Sequence, residues 1–384
     1  MRTPKAWGQP CPNLDCSHSQ LLNRGNIRAI STYLTQSGKR RIFQCRLCET
    51  TFSETRDTVF FDLRTPEERV MMALKMLLVK VALTDIGFVL GVTEETVLEW
   101  LRRAAQKAYE INTHLLRELP VTQVQLDEMW SFIRRKHAQQ AGPDGESTDL
   151  GEDGRQWVWI SFAPEFRLML AAWVGPRTFD SALQLIQMTA AVVLGVPCFF
   201  SDGFSCYLTA LIEVYHTLKT FPRTGKPGRP KQPVKEPHPD LVYGQVIKKT
   251  QQGRLHELVY RVRCGARRLE TLGVSISTSL LERLNLTLRH ALAPLVRKSW
   301  SFCKDRTQMR RRVILFQAFY NFARPHMSLR LPLPPQDQQC SRLIQLKWLP
   351  RTPGMAAGLT DHVWPFRELL TAKFEPIHNQ SSSG

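Results

Sequence analysis

The chain has 384 residues, 43% of them apolar, which suits two or three domains with real cores and excludes wholesale disorder. Lysine and arginine number 52 against 34 acids, a net charge of +18, so a polyanionic partner is expected, most often nucleic acid. No apolar run follows the first charges and none reaches about 18 residues, so neither a secretory signal nor a membrane span is expected; nine cysteines in such a chain favour metal ligands and buried thiols over a disulfide framework.

Residues 1–62 have little apolar periodicity. They carry Cys11 and Cys16, then Cys45 and Cys48. Two thiolate pairs about thirty residues apart can close a tetrahedral zinc site, and a segment with so small a core would take its fold from the metal. Arg24, Arg28, Lys39, Arg40 and Arg41 lie between the pairs and can meet phosphates.

Thr65-Pro66-Glu67-Glu68 reads as a capping box, and Val70, Leu74, Leu77, Leu78 and Val81 follow at helical spacing. A second helix fits Leu83–Leu90. Gly91-Val92-Thr93 turns the chain, and Thr93 can cap a third helix from Glu94 to about Ile111. Residues 63–119 thus read as a helix-turn-helix, whose third helix offers Arg102, Arg103 and Lys107 to DNA. Glu94, Glu95 and Glu99 on the same helix would repel phosphate, and a packing or dimerisation bundle is the alternative.

After Pro120 the period becomes that of strands: Val121–Arg134, Trp157–Phe162 and Arg167–Val174, the first two joined by the acidic Gly142–Gly154. Phe179–Leu194 reads as a helix, Val196–Ser201 as a strand, Ser205–His216 as a helix and Thr217–Phe221 as a strand. This order describes a mixed α/β sheet. A basic insertion follows at about 222–270. It begins as a linker, and Leu241–Cys264 alternates like a hairpin. Within it Lys226-Pro227-Gly228-Arg229-Pro230-Lys231 resembles an AT-hook core, with Arg229 and Lys231 as DNA contacts, or is a flexible basic linker. Ser279–Val296 and Asp305–Ala323 are helical. Residues 331–384 form a Pro-rich, loosely ordered tail.

Three carboxylates stand out. Asp127 sits among apolar neighbours in a strand, where an acid is costly unless paired or bound to a cation. Asp202 ends a second apolar strand, and strand ends are where α/β sheets place active sites. Glu282 lies on a helix with Asn285 and Arg289 on the same face, and Arg297, Lys298 and Lys304 follow. Three such acids can hold two Mg²⁺ ions about 4 Å apart, Mn²⁺ being possible, and so stabilise attacking and leaving oxygens at phosphorus. Taken singly, each acid also reads as structural: a turn at Asp202-Gly203, an edge-strand acid at Asp127 or Glu128, a solvated face at Glu282. Trp130, Trp157, Trp159 and Trp173 read as core, and His326 beside Arg324 as a phosphate contact or a helix end.

The motifs LDEMWSF around Asp127, FFSDGFSCY around Asp202, LLERLNLTLRHALAPLVRK around Glu282 and YNFARPHMSLR at Asn321–Arg330 occur in the order seen in DDE transposases. The chain resembles that family of prokaryotic insertion sequences over about residues 11–330. The nearest likeness is to the branch of the first-numbered insertion sequence. The resemblance implies a zinc ribbon (1–62), an all-α helix-turn-helix DNA-binding domain (63–119) and an α/β RNase H-like catalytic domain (120–330). It implies Asp127, Asp202 and Glu282 as catalytic Mg²⁺ ligands, and Arg289 as a DNA contact at the same site. It further implies transposon ends and target DNA as partners, a dimer or larger assembly on paired ends, no membrane, and a cytoplasmic, nucleoid-associated place. The long stretch between Asp202 and Glu282 departs from the shortest members and makes Glu270 a competitor for the third acid. A sequence-specific DNA-binding regulator would need none of the acids. An RNase H-like nuclease would use them without joining ends.

Overall fold

A computed structural model of the chain describes residues 8–134, 154–221, 231–252, 254–296, 300–333, 340–341, 344–345 and 347–376. The acidic loop, Arg229 of the basic motif, and Arg297 and Lys298 fall outside the described residues.

Strands β1 (Ile27–Thr35), β2 (Gly38–Cys45) and β3 (Thr51–Ser53) form a small antiparallel sheet. Its interior is only Ile27, Phe43, Phe52 and the cysteines. Arg40 is not presented to solvent. It is buried against Glu67, whose other oxygen takes Arg367 at 2.9 Å. That pairing corrects the expectation of Arg40 as a phosphate contact.

Three helices follow: α1 (Glu67–Leu77), α2 (Leu83–Leu90) and α3 (Glu94–Leu115). Thr93 caps α3 through its hydroxyl, which accepts from Thr96 N at 3.3 Å, and Gly91 makes the turn at φ +57°. The capping box at Thr65 does not form. Pro66, at φ −55°, stands at the N-cap of α1 with no side-chain cap bond, and Glu67 is taken by the two arginines. The helix α3 runs four residues beyond its expected end because Ile111 and Asn112 are buried and its face continues against α8, where Asn112 donates to Gln317.

The large sheet is built from β4 (Gln123–Ile133), β5 (Gly154–Ala163) and β6 (Leu168–Gly175), each antiparallel to the next. Helix α4 (Phe179–Ala190) returns the chain to β7 (Cys198–Ser201), parallel to β4. Helix α5 (Cys206–Val214) then leads to β8 (His216–Lys219), which pairs with β9 (Val234–Pro237) in a separate two-stranded ribbon. The expected sheet strand at Thr217–Phe221 is therefore not in the sheet. Its residues are exposed and lack the continuous apolar run that a strand buried on both faces needs.

The fifth sheet strand is β10 (Val242–Gln251), parallel to β7 and antiparallel to β11 (Arg254–Cys264). Residues Val242–Val246 are buried and Lys248–Gln251 exposed, so one strand completes the sheet and then leaves it as a hairpin arm. Half of the expected insertion thus belongs to the sheet. In order of appearance the five central strands run 3-2-1-4-5, a mixed α/β sheet consistent with the RNase H-like class expected from the sequence.

After α6 (Ala266–Leu272), α7 (Ser279–Ala291) packs on β4, and α8 (Arg306–Ala318), capped by Asp305, packs on α3 and β6. The tail is not loose throughout. Short helices α9 (Pro353–Ala356) and α10 (Phe366–Thr371) return, and Trp364, Phe366, Leu369 and Leu370 enter the same core as α3 and the sheet. Among the described residues no helix is long and apolar enough to cross a membrane.

Candidate functional site

Register brings two of the three acids together. Strands β4 and β7 run parallel, with Leu126 opposite Ser201. The next residues, Asp127 and Asp202, therefore lie abreast where both strands end their pairing. On the other side of β7 its pairing with β10 ends at Gln245 opposite Ser201, so Val246–Lys248 complete the rim.

Helix α7 covers this rim because a buried side chain anchors it. Gln125 Oε1 accepts from Leu281 N at 2.9 Å, satisfying a first-turn amide that the helix itself cannot. That anchor carries Glu282, Asn285 and Arg289 to a cavity of about 560 Å³, which Asp127, Glu128 and Asp202 also line. Glu270, by contrast, lies exposed on α6 and does not line it.

The carboxylate oxygens of Asp127, Glu128 and Asp202 lie within 4.8 Å of one another. Glu282 stands across the cavity, outside that cluster, held by Thr278 Oγ1 at 2.8 Å and paired with Lys248 Nζ at 2.5 Å. Asn285 Nδ2 donates to Asp127 Oδ2 at 2.6 Å.

Crowding of negative charge shows in the acids. Burial, and then Asp202, raise the Asp127 carboxyl to about 7. The same two causes raise Glu128 to about 7, although Arg177 beside it works the other way. Glu128 is deeply buried. Its Oε1 takes Arg177 Nη2 at 2.6 Å and its Oε2 takes the Tyr207 hydroxyl at 2.9 Å.

Glu128, Lys248 and Arg177 escaped the sequence reading as site residues. The sequence offered Glu128 only as an edge-strand acid, since strand alternation sets it on the face opposite Asp127, and Lys248 lay in what read as an insertion. The dipeptide Asp127-Glu128 in an otherwise apolar strand was the available signal.

The donor set suits a hard divalent cation. Carboxylate oxygens are the ligands Mg²⁺ and Mn²⁺ take, and a cation would relieve the repulsion that holds two acids near 7. Asn285 Oδ1 also fits, being buried with no hydrogen-bond partner among the described residues. It can accept from water on such an ion.

The four cysteines of the N-terminal sheet form a second cluster. Cys11 and Cys48 sulfurs are 3.5 Å apart, Cys16 and Cys45 3.8 Å, and all four lie within 4.8 Å, compatible with a zinc ribbon. Thr50, bonded to the Cys48 sulfur, lowers that thiol to about 6, whereas burial raises Cys11, so a metal would have to displace the proton there.

The helix-turn-helix cations are engaged within the chain. Arg102 and Arg103 share Glu99 at 2.6 and 2.9 Å, and Lys107 is buried against Glu110 at 2.6 Å. Lys304 faces Glu94 at 3.9 Å. Lys231 is exposed and lies over the Phe221 ring at 5.4 Å. Of the tryptophans, Trp159 is fully buried, whereas Trp157 and Trp173 carry Arg177 and Arg310 on their faces.

No family model matches the sequence, and no curated protein matches it. Among solved structures the chain is similar to the Mos1 transposase paired-end complex with left transposon end, at 14% identity over 38% of this chain and 56% of that one, TM-score 0.15. It is also similar to the Mos1 strand transfer complex, at 13% identity over 38% and 54%, TM-score 0.16. A third is the Mos1 mariner paired end complex with Mn, at 12% over 35% and 52%, TM-score 0.15. The match spans about half of each of these chains, and likeness of this size carries no weight for fold or role.

Proposed function

We propose that the chain is a DDE transposase of the insertion-sequence type, which cleaves DNA at element ends and joins the 3′-OH to target DNA. The observation that carries this reading is the cavity itself. Asp127 and Asp202 stand abreast at the ends of parallel strands, with Glu282 opposite and Arg289 on the same helix face. Asp127, Asp202 and Glu282 would hold Mg²⁺ or Mn²⁺, and Asn285 orients Asp127 for it through the 2.6 Å bond. The ions, when bound, supply charge that stabilises attacking and leaving oxygens at phosphorus. Glu282 would exchange Lys248 for the cation, leaving that ammonium to a DNA phosphate at the rim.

Arg289 would grip the strand that enters the cavity. In the same proposal the four cysteines hold structural zinc and residues 1–62 form the ribbon. Residues 63–119 would recognise the ends through Arg102 and Arg103, with the basic segment of Arg229, Lys231, Arg297 and Lys298 along the backbone. Paired ends call for two copies of the chain.

The test is strand transfer with the DNA that flanks the gene and a supercoiled target, in Mg²⁺ or Ca²⁺. Joined products in Mg²⁺ alone, absent with Asp202→Asn, are expected. Cleavage without joining would make the chain a nuclease. Binding with neither, unaffected by Asp202→Asn, would leave a DNA-binding regulator and contradict catalysis.

A further inference from the structure

The opposite flank of α7 lines a second cavity, of about 350 Å³, which the chemistry above does not use. Arg167, Arg283, Arg324 and His326 line it, with Tyr320 and Thr287. Among the described residues no carboxylate lines it, and none of the three arginines is in an ion pair. The acid nearest Arg167 in sequence, Glu165, is turned away onto Thr122, whose N and Oγ1 donate to it at 2.8 and 2.5 Å, and Glu282, next to Arg283, lines the other cavity.

Three unneutralised guanidiniums around one cavity repel one another, and only an anion repays bringing them together. One of them is committed in a stronger sense. Arg167 Nη1 is buried with no hydrogen-bond partner, a state proteins seldom leave unexplained. Its backbone holds φ +55° in the turn between β5 and β6, a conformation glycine or asparagine adopts more readily.

His326 adds a neutral donor. Its Nδ1 accepts from Ser328 N at 3.3 Å, which leaves the ring proton on Nε2.

We infer that this cavity is a binding site for a phosphate oxyanion, gripped by Arg167, Arg283 and Arg324 with His326 as a further donor. The oxyanion can come from a nucleic-acid backbone or from free phosphate. The backbone source rests on the DNA reading proposed above, and the free-phosphate source does not. Because Glu282 and Arg283 face opposite flanks of one helix, the bound phosphate would lie about a helix diameter, about 10 Å, from the acids. It is therefore not the reacting phosphate but a neighbour along the strand.

The experiment titrates the full chain with inorganic phosphate by calorimetry at constant ionic strength, and with duplex DNA by fluorescence anisotropy across a salt series. Wild type is compared with Arg167→Gln and Arg324→Gln, each checked for a cooperative thermal melt. Arg324 is exposed, so its variant keeps the test available if Arg167→Gln fails to fold. A tenfold or greater loss of affinity for either probe supports the site. Loss on the DNA arm, with the slope of log K against log salt reduced by about 0.9 per arginine, identifies the backbone source. Loss on the phosphate arm alone identifies free phosphate. Unchanged affinity for both probes in folded variants overturns the inference. Should strand joining fail while the phosphate arm holds, the transposase reading falls and the pocket stands.

Discussion

Asp127 holds its proton to about 7 because it is buried beside Asp202. An unfolded aspartate ionises near 4. Between those values the folded chain keeps a proton that the unfolded chain has lost, so stability without metal falls as pH rises. The contribution is complete below about 4 and lost as pH climbs through about 7. Asp127→Asn removes this slope. Thermal melts without divalent ions should find the variant gaining on wild type steadily from pH 5 to pH 8; a constant difference would contradict it. The same protons compete with a cation, so Mg²⁺ affinity should rise up to about pH 7 and then level.

Glu128 gives a second prediction at this scale. Arg177→Met leaves its carboxyl buried with only Tyr207 as partner. At pH 8 the loss should be about 1–3 kcal/mol, below the full cost of breaking a buried pair because the Arg177 side chain is 40% exposed and solvent-screened. At pH 5 Glu128 is already neutral, and denaturant melts should find a smaller loss. Neither residue was legible as part of the site from alternation along β4, because Glu128 reaches the other acids by the length of its side chain, with Arg177 and Tyr207 fixing it.

Elements decide which residues meet. The strand β4 and the helices α2 and α3 were legible because their apolar periods were clear and their caps local, as at Thr93 and Gly91, whereas α7, expected to run to Val296, stops at Ala291 where Leu292 turns extended before Pro294. The strand β8 was misplaced because four residues cannot report which partner they pair with. The box at Thr65 did not form because Pro66, not Thr65, stands at the N-cap of α1 and makes no side-chain cap bond.

The contact between β4 and α7 was invisible in either segment alone, since its bonds, Leu281 N to Gln125 and Asn285 to Asp127, cross 156 and 158 positions. Gln125→Leu should cost about 1–2 kcal/mol by leaving that amide unsatisfied, and should lower strand joining by loosening Glu282. An unchanged denaturation midpoint would contradict the anchor. In the N-terminal sheet three of the six core residues are cysteines, so a strong chelator should expose it to protease while the remaining fold persists. Resistance of that lobe would contradict a metal-dependent fold there.

At the scale of the whole molecule, one apolar core runs from Val59 through α3 and the sheet to Leu370. The helices are thus joined to the sheet by packing as well as by sequence. The tail belongs to this core, as Val59 N donates to Leu370 O at 3.0 Å. Its prolines read as loose chain because the aromatic residues they space find their partners far away in sequence, on α3, on the turn after α8 and at Lys75 of α1. Leu370→Ala should cost about 2–4 kcal/mol of global stability, seen as a single shifted unfolding transition.

The net charge of +18 sets the field in which the acidic cavity sits, and among the described residues its carboxylate cluster is where a hard divalent cation would be drawn in. The measurement that tests this most directly is Mn²⁺ binding, followed by electron paramagnetic resonance, in wild type and in Asp202→Asn. Zinc-loaded protein is used so that the cysteines are filled. Wild type should bind Mn²⁺ in a way that Mg²⁺ displaces, and Asp202→Asn should weaken it tenfold or more. Equal binding by the two proteins would mean that the acids of the cavity do not hold the ion, and the proposed chemistry would lose its centre.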